Sequence, residues 1–132
     1  MFKTRITDLF DIEHPIVGGC MMHISGPAFV AAISNAGALG MMASAMYDSQ
    51  AAFHQAVREV KSLTGKPFGV NLCLFPALRP IDKELFVEVI LEEGIRFVET
   101  SGHRPPEELL QRLNAAVIKT MHKCVSARHA SS

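Results

Sequence analysis

Three short segments carry side chains whose chemistry could serve one site: Gly18-Gly19-Cys20-Met21-Met22-His23, Gly69-Val70-Asn71-Leu72 and His122-Lys123-Cys124. Asn71 interrupts an otherwise apolar run. A buried amide without partners is costly, so Asn71 must meet backbone groups or a ligand. Lys123 closes another apolar run. A cation there faces a partner anion or acceptor, or it snorkels to water along its methylene stem. His23, His103 and His122 each have the chemistry of a general base, although a lone histidine is more often a surface or satisfied group. Met21 and Met22 read more readily as core than as ligand contacts. Cys20, Cys73 and Cys124 stand far apart with no Cys-x-x-Cys pair, which argues against zinc. They read as small buried hydrophobes in a reducing, cytoplasmic setting.

These residues stand at the ends of predicted strands. The runs 14–20, 39–44, 66–75, 95–102 and 117–126 are short and mostly apolar, with Gly or Pro punctuation. Unbroken apolar runs imply strands buried on both faces and hence a parallel sheet. Between them lie helical patterns. Ser25, Asp48 and Asp82 are capping candidates, and Pro27 suits a first helical turn. Phe53, Ala56, Val57, Val60 and Leu63 share one helical face; Leu85, Phe86, Val89 and Ile90 share another, and Leu109, Leu110 and Leu113 a third. Gly37, Gly65 and Gly94 mark helix stops. The last residues, "ARHASS", open a further helix. The chain is thus α/β, with about five βα units. Loops at the C-terminal strand ends of such folds converge on ligands, so Gly18, Gly19, Met21, Asn71, Ser101, Gly102, His122 and Lys123 are candidates to line one pocket. Five units suit a flavodoxin-like doubly wound sheet or part of a (β/α)8 barrel, and pattern alone does not separate them.

Composition narrows the function. The 132 residues suffice for one domain with a core, and 48% hydrophobic with 20% charged residues is ordinary for a soluble protein. Lys+Arg and Asp+Glu balance at 13 each, without a basic run, which argues against nucleic acid. The N-terminus lacks the apolar core of a signal peptide. The apolar stretch 15–46 is broken by Pro, His, Asn and Gly and reads as strand, helix and strand rather than a membrane span. No phosphate-binding glycine loop is present; "SNAGALG" reads as a helix stop and turn.

The segments "HPIVGGCMMHIS", "AAISNAGALGMMAS", "KPFGVNL", "VETSGHRP" and "IKTMHKCVSARHA" together resemble the N-terminal half of the nitronate monooxygenase family, formerly the 2-nitropropane dioxygenases. The resemblance covers essentially the whole chain. It implies residues 1–132 of an FMN-binding (β/α)8 TIM barrel, here partial, that oxidises alkyl nitronates with O2. By the same resemblance Gly19, Cys20, Met21 and Met22 lie along the flavin ring, while Asn71 and Lys123 hydrogen-bond the isoalloxazine or its surroundings.

The pattern also departs from the family. Gly18 stands where a glutamine is usual, Cys20 replaces a glycine or alanine, and His23 replaces an aromatic or aliphatic residue. The family's later "GHPG"-like motif with its catalytic histidine is not in the sequence, so no catalytic residue is assigned and His129 is not taken for that base. The expectation is a truncated product with impaired or no activity alone, self-associating through exposed strand edges. The alternatives are a non-enzymatic remnant and a flavin-dependent enoyl-acyl-carrier-protein reductase using NAD(P)H.

Overall fold

The computed structural model describes residues 3–75 and 82–131. Among them, β1 (Val17–Gly18), β2 (Leu39–Ala43), β3 (Phe68–Cys73), β4 (Phe97–Ser101) and β5 (Lys119–Lys123) form one parallel sheet in the order β1-β2-β3-β4-β5. The helices are α1 (Arg5–Phe10), α2 (Pro27–Asn35), α3 (Gln50–Leu63), α4 (Lys83–Glu92), α5 (Glu107–Ala115) and α6 (Ala127–Ala130).

Strand order decides between the two architectures left open by pattern. A doubly wound sheet reverses direction at a switch point and carries helices on both faces. Here every strand lies beside its predecessor, so right-handed crossovers place all the connecting helices on one face. The core shows the same partition. Met42, Val70, Leu72 and Val98 pack against Val30 of α2, Phe53 and Val57 of α3, Phe86 and Ile90 of α4, and Leu113 of α5. Leu39, Met41 and Phe97 face the other way, onto Phe10, Ile12, Val17 and Met121. The fold is therefore five consecutive βα units of a (β/α)8 barrel, with an outer, helix-covered face and an inner face.

Two helix starts differ from expectation. Helix α3 is capped by Ser49, whose hydroxyl accepts the Ala52 N–H, not by Asp48. Gly26, not Ser25, is the N-cap of α2; the Ser25 hydroxyl accepts the Met21 N–H at 2.9 Å instead. Asp82 does cap α4, accepting from the Glu84 N–H. Gly37 and Gly94 sit just past α2 and α4 at φ +84° and +62°, conformations glycine adopts without steric cost. At Gly40 a Cβ would lie 2.3 Å from the Val30 carbonyl oxygen, so α2 rests directly on the β2 backbone.

Helix α1 covers the N-terminal end of the inner face. The Phe10 ring meets Phe97 edge-on, with centroids 5.3 Å apart, and the Lys119 ammonium donates to the Leu9 carbonyl. Burying an aromatic ring such as Phe97 contributes about 2–3 kcal/mol. The polar groups of the inner face are left at the opposite end, where the strands finish.

Candidate functional site

Side chains alternate along a strand, so inner-face positions recur every second residue. On β3 these are Gly69, Asn71 and Cys73; on β4, Phe97, Glu99 and Ser101; on β5, Lys119, Met121 and Lys123. Parallel register pairs Asn71 with Glu99 and Ser101 with Lys123. The second half of each set forms a polar cluster at the C-terminal strand ends.

Glu99 is its centre. One carboxylate oxygen, Oε1, accepts from the Asn71 amide at 2.5 Å and lies 3.1 Å from the Lys123 ammonium. Asn71 Nδ2 also reaches Ser101 Oγ at 3.2 Å. The Ser44 hydroxyl donates to the Asn71 carbonyl at 2.7 Å and fixes its backbone. Asn71 and Glu99 are buried, whereas the Lys123 side chain is 49% exposed. Both readings of Lys123 therefore hold in part: its head reaches solvent, and it has an anion as partner. A buried carboxylate needs such compensation, because desolvating an unpaired charge is severely unfavourable.

Cys20 faces this cluster from the loop after β1. Burial pushes its thiol above the usual range; the Lys123 charge pulls it down, while Glu99 and Cys73 push it further up. The loop is knitted by paired bonds, Met21 N–H to Ser25 Oγ and Ser25 N–H to the Met21 carbonyl, both at 2.9 Å. Met21, Met22 and Ile24 are left exposed, as is Phe75 beyond β3, so the site has an apolar lip. No other group lies within 4 Å of the Cβ position of Gly19, which leaves open space beside that backbone.

The expected site residues divide accordingly. Gly19, Cys20, Met21, Met22, Asn71, Ser101 and Lys123 belong to this end of the inner face. His122 does not: its Nδ1 lies 2.9 Å from Thr100 Oγ1, on the outer face, as strand alternation requires for a neighbour of Lys123. At Gly18 a Cβ would lie 2.6 Å from Ile33 Cδ1, so a side chain there would point at α2 and not at the site. Gly102, at φ +105°, accommodates Phe75, whose ring packs on His103. Glu99 was not singled out by sequence. Its signal was a carboxylate inside an apolar run, at the same strand height as Asn71.

A barrel face whose strand ends gather an amide, a carboxylate, an ammonium and a thiol beneath an apolar lip defines a (β/α) barrel protein with a candidate site at its C-terminal strand ends. The family model for nitronate monooxygenase matches residues 3–132, and the chain belongs to this family. It is 38% identical over 130 residues to the (3aS,4S,5R,7aS)-5-hydroxy-7a-methyl-1-oxo-octahydro-1H-indene-4-carboxyl-CoA dehydrogenase of Mycobacterium tuberculosis, covering 97% of this chain and 34% of that protein. It is 48% identical over 69 residues to a nitronate monooxygenase of Pseudomonas aeruginosa, covering 52% of this chain and 19% of that protein. FabK from Thermotoga maritima superposes with a TM-score of 0.87 at 30% identity, over 99% of this chain and 40% of that one. The chain spans about a third of the length of the first curated relatives it matches (35% and 34%).

Proposed function

We propose that this chain forms the ring-binding part of an FMN-dependent oxidoreductase site, with an alkyl nitronate and O2 as substrates. On this reading residues 1–132 are the N-terminal part of an FMN-binding barrel domain, and the free edges of β1 and β5 are where copies associate. The observation that carries the reading is the convergence of Asn71 and Lys123 on one point, beside the open space at Gly19 and under Met21 and Met22. A flavin ring is flat, with apolar faces and acceptor atoms along one edge. Open backbone, a thioether lip and the half-exposed Lys123 ammonium suit that shape and chemistry.

FMN, when bound, supplies the electron acceptor for nitronate oxidation and the route of electrons to O2. The protein residues orient and tune. Lys123 would supply positive charge beside a ring held at this end, which would favour its reduced, more negative form. Asn71 offers an amide held rigid by Ser44, Ser101 and Glu99. Glu99 fixes both donors and offsets part of the Lys123 charge, so the site is tempered rather than strongly cationic. The exposed Met21 and Met22 side chains would cover one face of a bound ring.

One finding favours a second reading. The carboxyl-CoA dehydrogenase match is 38% identical over 97% of this chain, whereas the nitronate monooxygenase matches are either shorter or, over the same 97%, only 23% identical. On that reading the substrate is an acyl thioester, and turnover resembles that of an enoyl-acyl-carrier-protein reductase.

Titration of the 132-residue chain into FMN, followed by flavin fluorescence, tests the proposal. Saturable quenching that weakens in Asn71→Ala and Lys123→Met supports it; no quenching at high micromolar protein overturns it. O2 consumption with a nitronate favours the first substrate class, and NAD(P)H oxidation with an enoyl thioester the second. Binding without either turnover identifies a flavin-binding remnant.

A further inference from the structure

On the far side of β5 from Lys123, three side chains meet that the flavin reading does not use. His122, Cys124 and His129 each offer one ligand atom, and these atoms all lie within 4.8 Å of one another. The spacing His-x-Cys-x4-His resembles no common zinc pattern. The fold brings it together: β5 ends at Lys123, the chain turns, and the Ser126 hydroxyl caps α6, swinging His129 back until its ring lies 5.2 Å from that of His122. We propose that this trio is a binding site for a divalent metal of the zinc class.

The environment of His122 carries the argument. Its Nδ1 lies 2.9 Å from Thr100 Oγ1, while its Nε2 is buried and has no hydrogen-bond partner among the described residues. The Thr100 hydroxyl also lies 3.4 Å from the Met121 carbonyl, an acceptor for its single proton. With that proton on Met121, Thr100 accepts from Nδ1–H and Nε2 presents a bare lone pair. That is the tautomer a metal ligand needs, fixed by an outer partner as metal-bound histidines usually are. A buried lone pair facing nothing is unfavourable, and a cation relieves it.

The donor set selects the metal. Two imidazole nitrogens and one thiolate suit a borderline-soft ion that accepts tetrahedral geometry. The Cys124 thiol contacts the His122 carbonyl at 3.6 Å. On binding, the S–H bond breaks, its proton leaves to solvent, and the sulfur donates its electron pair to the ion. No change of oxidation state is involved. The three ligands border a cavity of about 320 Å3 that is also lined by Thr100, Arg104 and Leu110. It leaves the fourth coordination position to water or to an external donor.

Cobalt(II) is the probe, because a thiolate on tetrahedral cobalt gives a charge-transfer band in the near ultraviolet and intense visible bands. Titration of the chelator-treated 132-residue chain gives both, saturating at one ion per chain and abolished by zinc. Cys124→Ser removes the charge-transfer band, while Cys73→Ser keeps it. Thr100→Val, nearly the same shape, weakens cobalt binding by about 10-fold. Circular dichroism shows that each variant retains its helices. Absence of the band at millimolar cobalt overturns the proposal, and so does a band that survives Cys124→Ser or vanishes in Cys73→Ser. No readout depends on flavin or turnover, so the outcome is independent of the proposed function.

Discussion

Lys123, on the edge strand, places its ammonium 3.1 Å from the Glu99 carboxylate on the neighbouring strand. Glu99 is buried and Lys123 is half exposed, so the two are unequally dependent on each other. Lys123→Met leaves a buried carboxylate with only neutral donors and lowers stability by about 1 kcal/mol, after allowance for the cation's solvent exposure. Adding Glu99→Gln restores most of that loss, since the amide oxygen still accepts from Asn71. Urea denaturation of the two single variants and the double variant reads the coupling; simple additivity of the losses counts against it.

The Cys20 thiol sits above the ordinary cysteine range because burial disfavours the thiolate, with Lys123 as the opposing influence. At pH 8 iodoacetamide modifies Cys20 more slowly than a free thiol, and the rate climbs as pH rises. Lys123→Met removes the opposing charge and slows modification further. Peptide mass spectrometry against time reads the rate at this cysteine.

Glu93 ties α3 to the end of α4. Its carboxylate lies 2.7 Å from the Lys61 ammonium and 2.8 Å from Arg58 Nε. The hydrogen bond from Lys61, opposed by partial burial and aided by Arg58, lowers its pKa from 4.5 to about 2. A depressed carboxyl pKa stabilises the fold fully above the unfolded value, and the contribution disappears as pH falls from about 4.5 through about 2. Given the exposure of Arg58 and Lys61, Glu93→Gln lowers stability by about 2 kcal/mol at pH 7. The variant and the parent then converge toward pH 2. Denaturation midpoints across this range show the convergence or its absence.

Gly40→Ala forces α2 away from β2, because the new methyl would meet the Val30 carbonyl at 2.3 Å. Overpacking of this kind costs about 3 kcal/mol. Thermal melts report it, and an unchanged midpoint would mean that α2 does not ride directly on the strand.

The cap of α3 separates adjacent candidates. Ser49→Ala loses the bond to the Ala52 N–H and costs about 1 kcal/mol, while Asp48→Ala stays near zero.

The regular parts of the fold were legible because local patterns and tertiary demands agree. Strands β2 to β4 follow from mostly apolar runs, β5 from a run that keeps Val117, Ile118 and Met121 despite two lysines, and α3 from its 3.6-residue stripe. Gly37 and Gly94 follow from the left-handed turns that end helices. Misreadings arose where two neighbours satisfy the same local rule. Asp48 and Ser49 are both good caps, and only backbone geometry chooses. Leu63 continues the α3 stripe past the covered turn and is exposed, while Val87, off the expected face of α4, is buried against the core. The apolar run 14–20 yields only Val17–Gly18 as strand, paired with Leu39 and Gly40 of β2.

At the site, Asn71 and Lys123 were legible as polar intrusions into apolar runs. Glu99 was the same kind of intrusion, but its role needs the register that puts it beside Asn71. His122 was misplaced for want of a parity count: it is adjacent to Lys123, so the two cannot share a strand face. The His122, Cys124 and His129 grouping needs both strand and turn, and spacing alone does not reveal it.

The contact between the Lys119 ammonium and the Leu9 carbonyl joins residues 110 positions apart. Made alone, such a clasp carries a loop-closure cost, and the intervening strands lessen it by bringing its two ends together. Together with the Phe10–Phe97 contact, it fastens α1 across both β4 and β5.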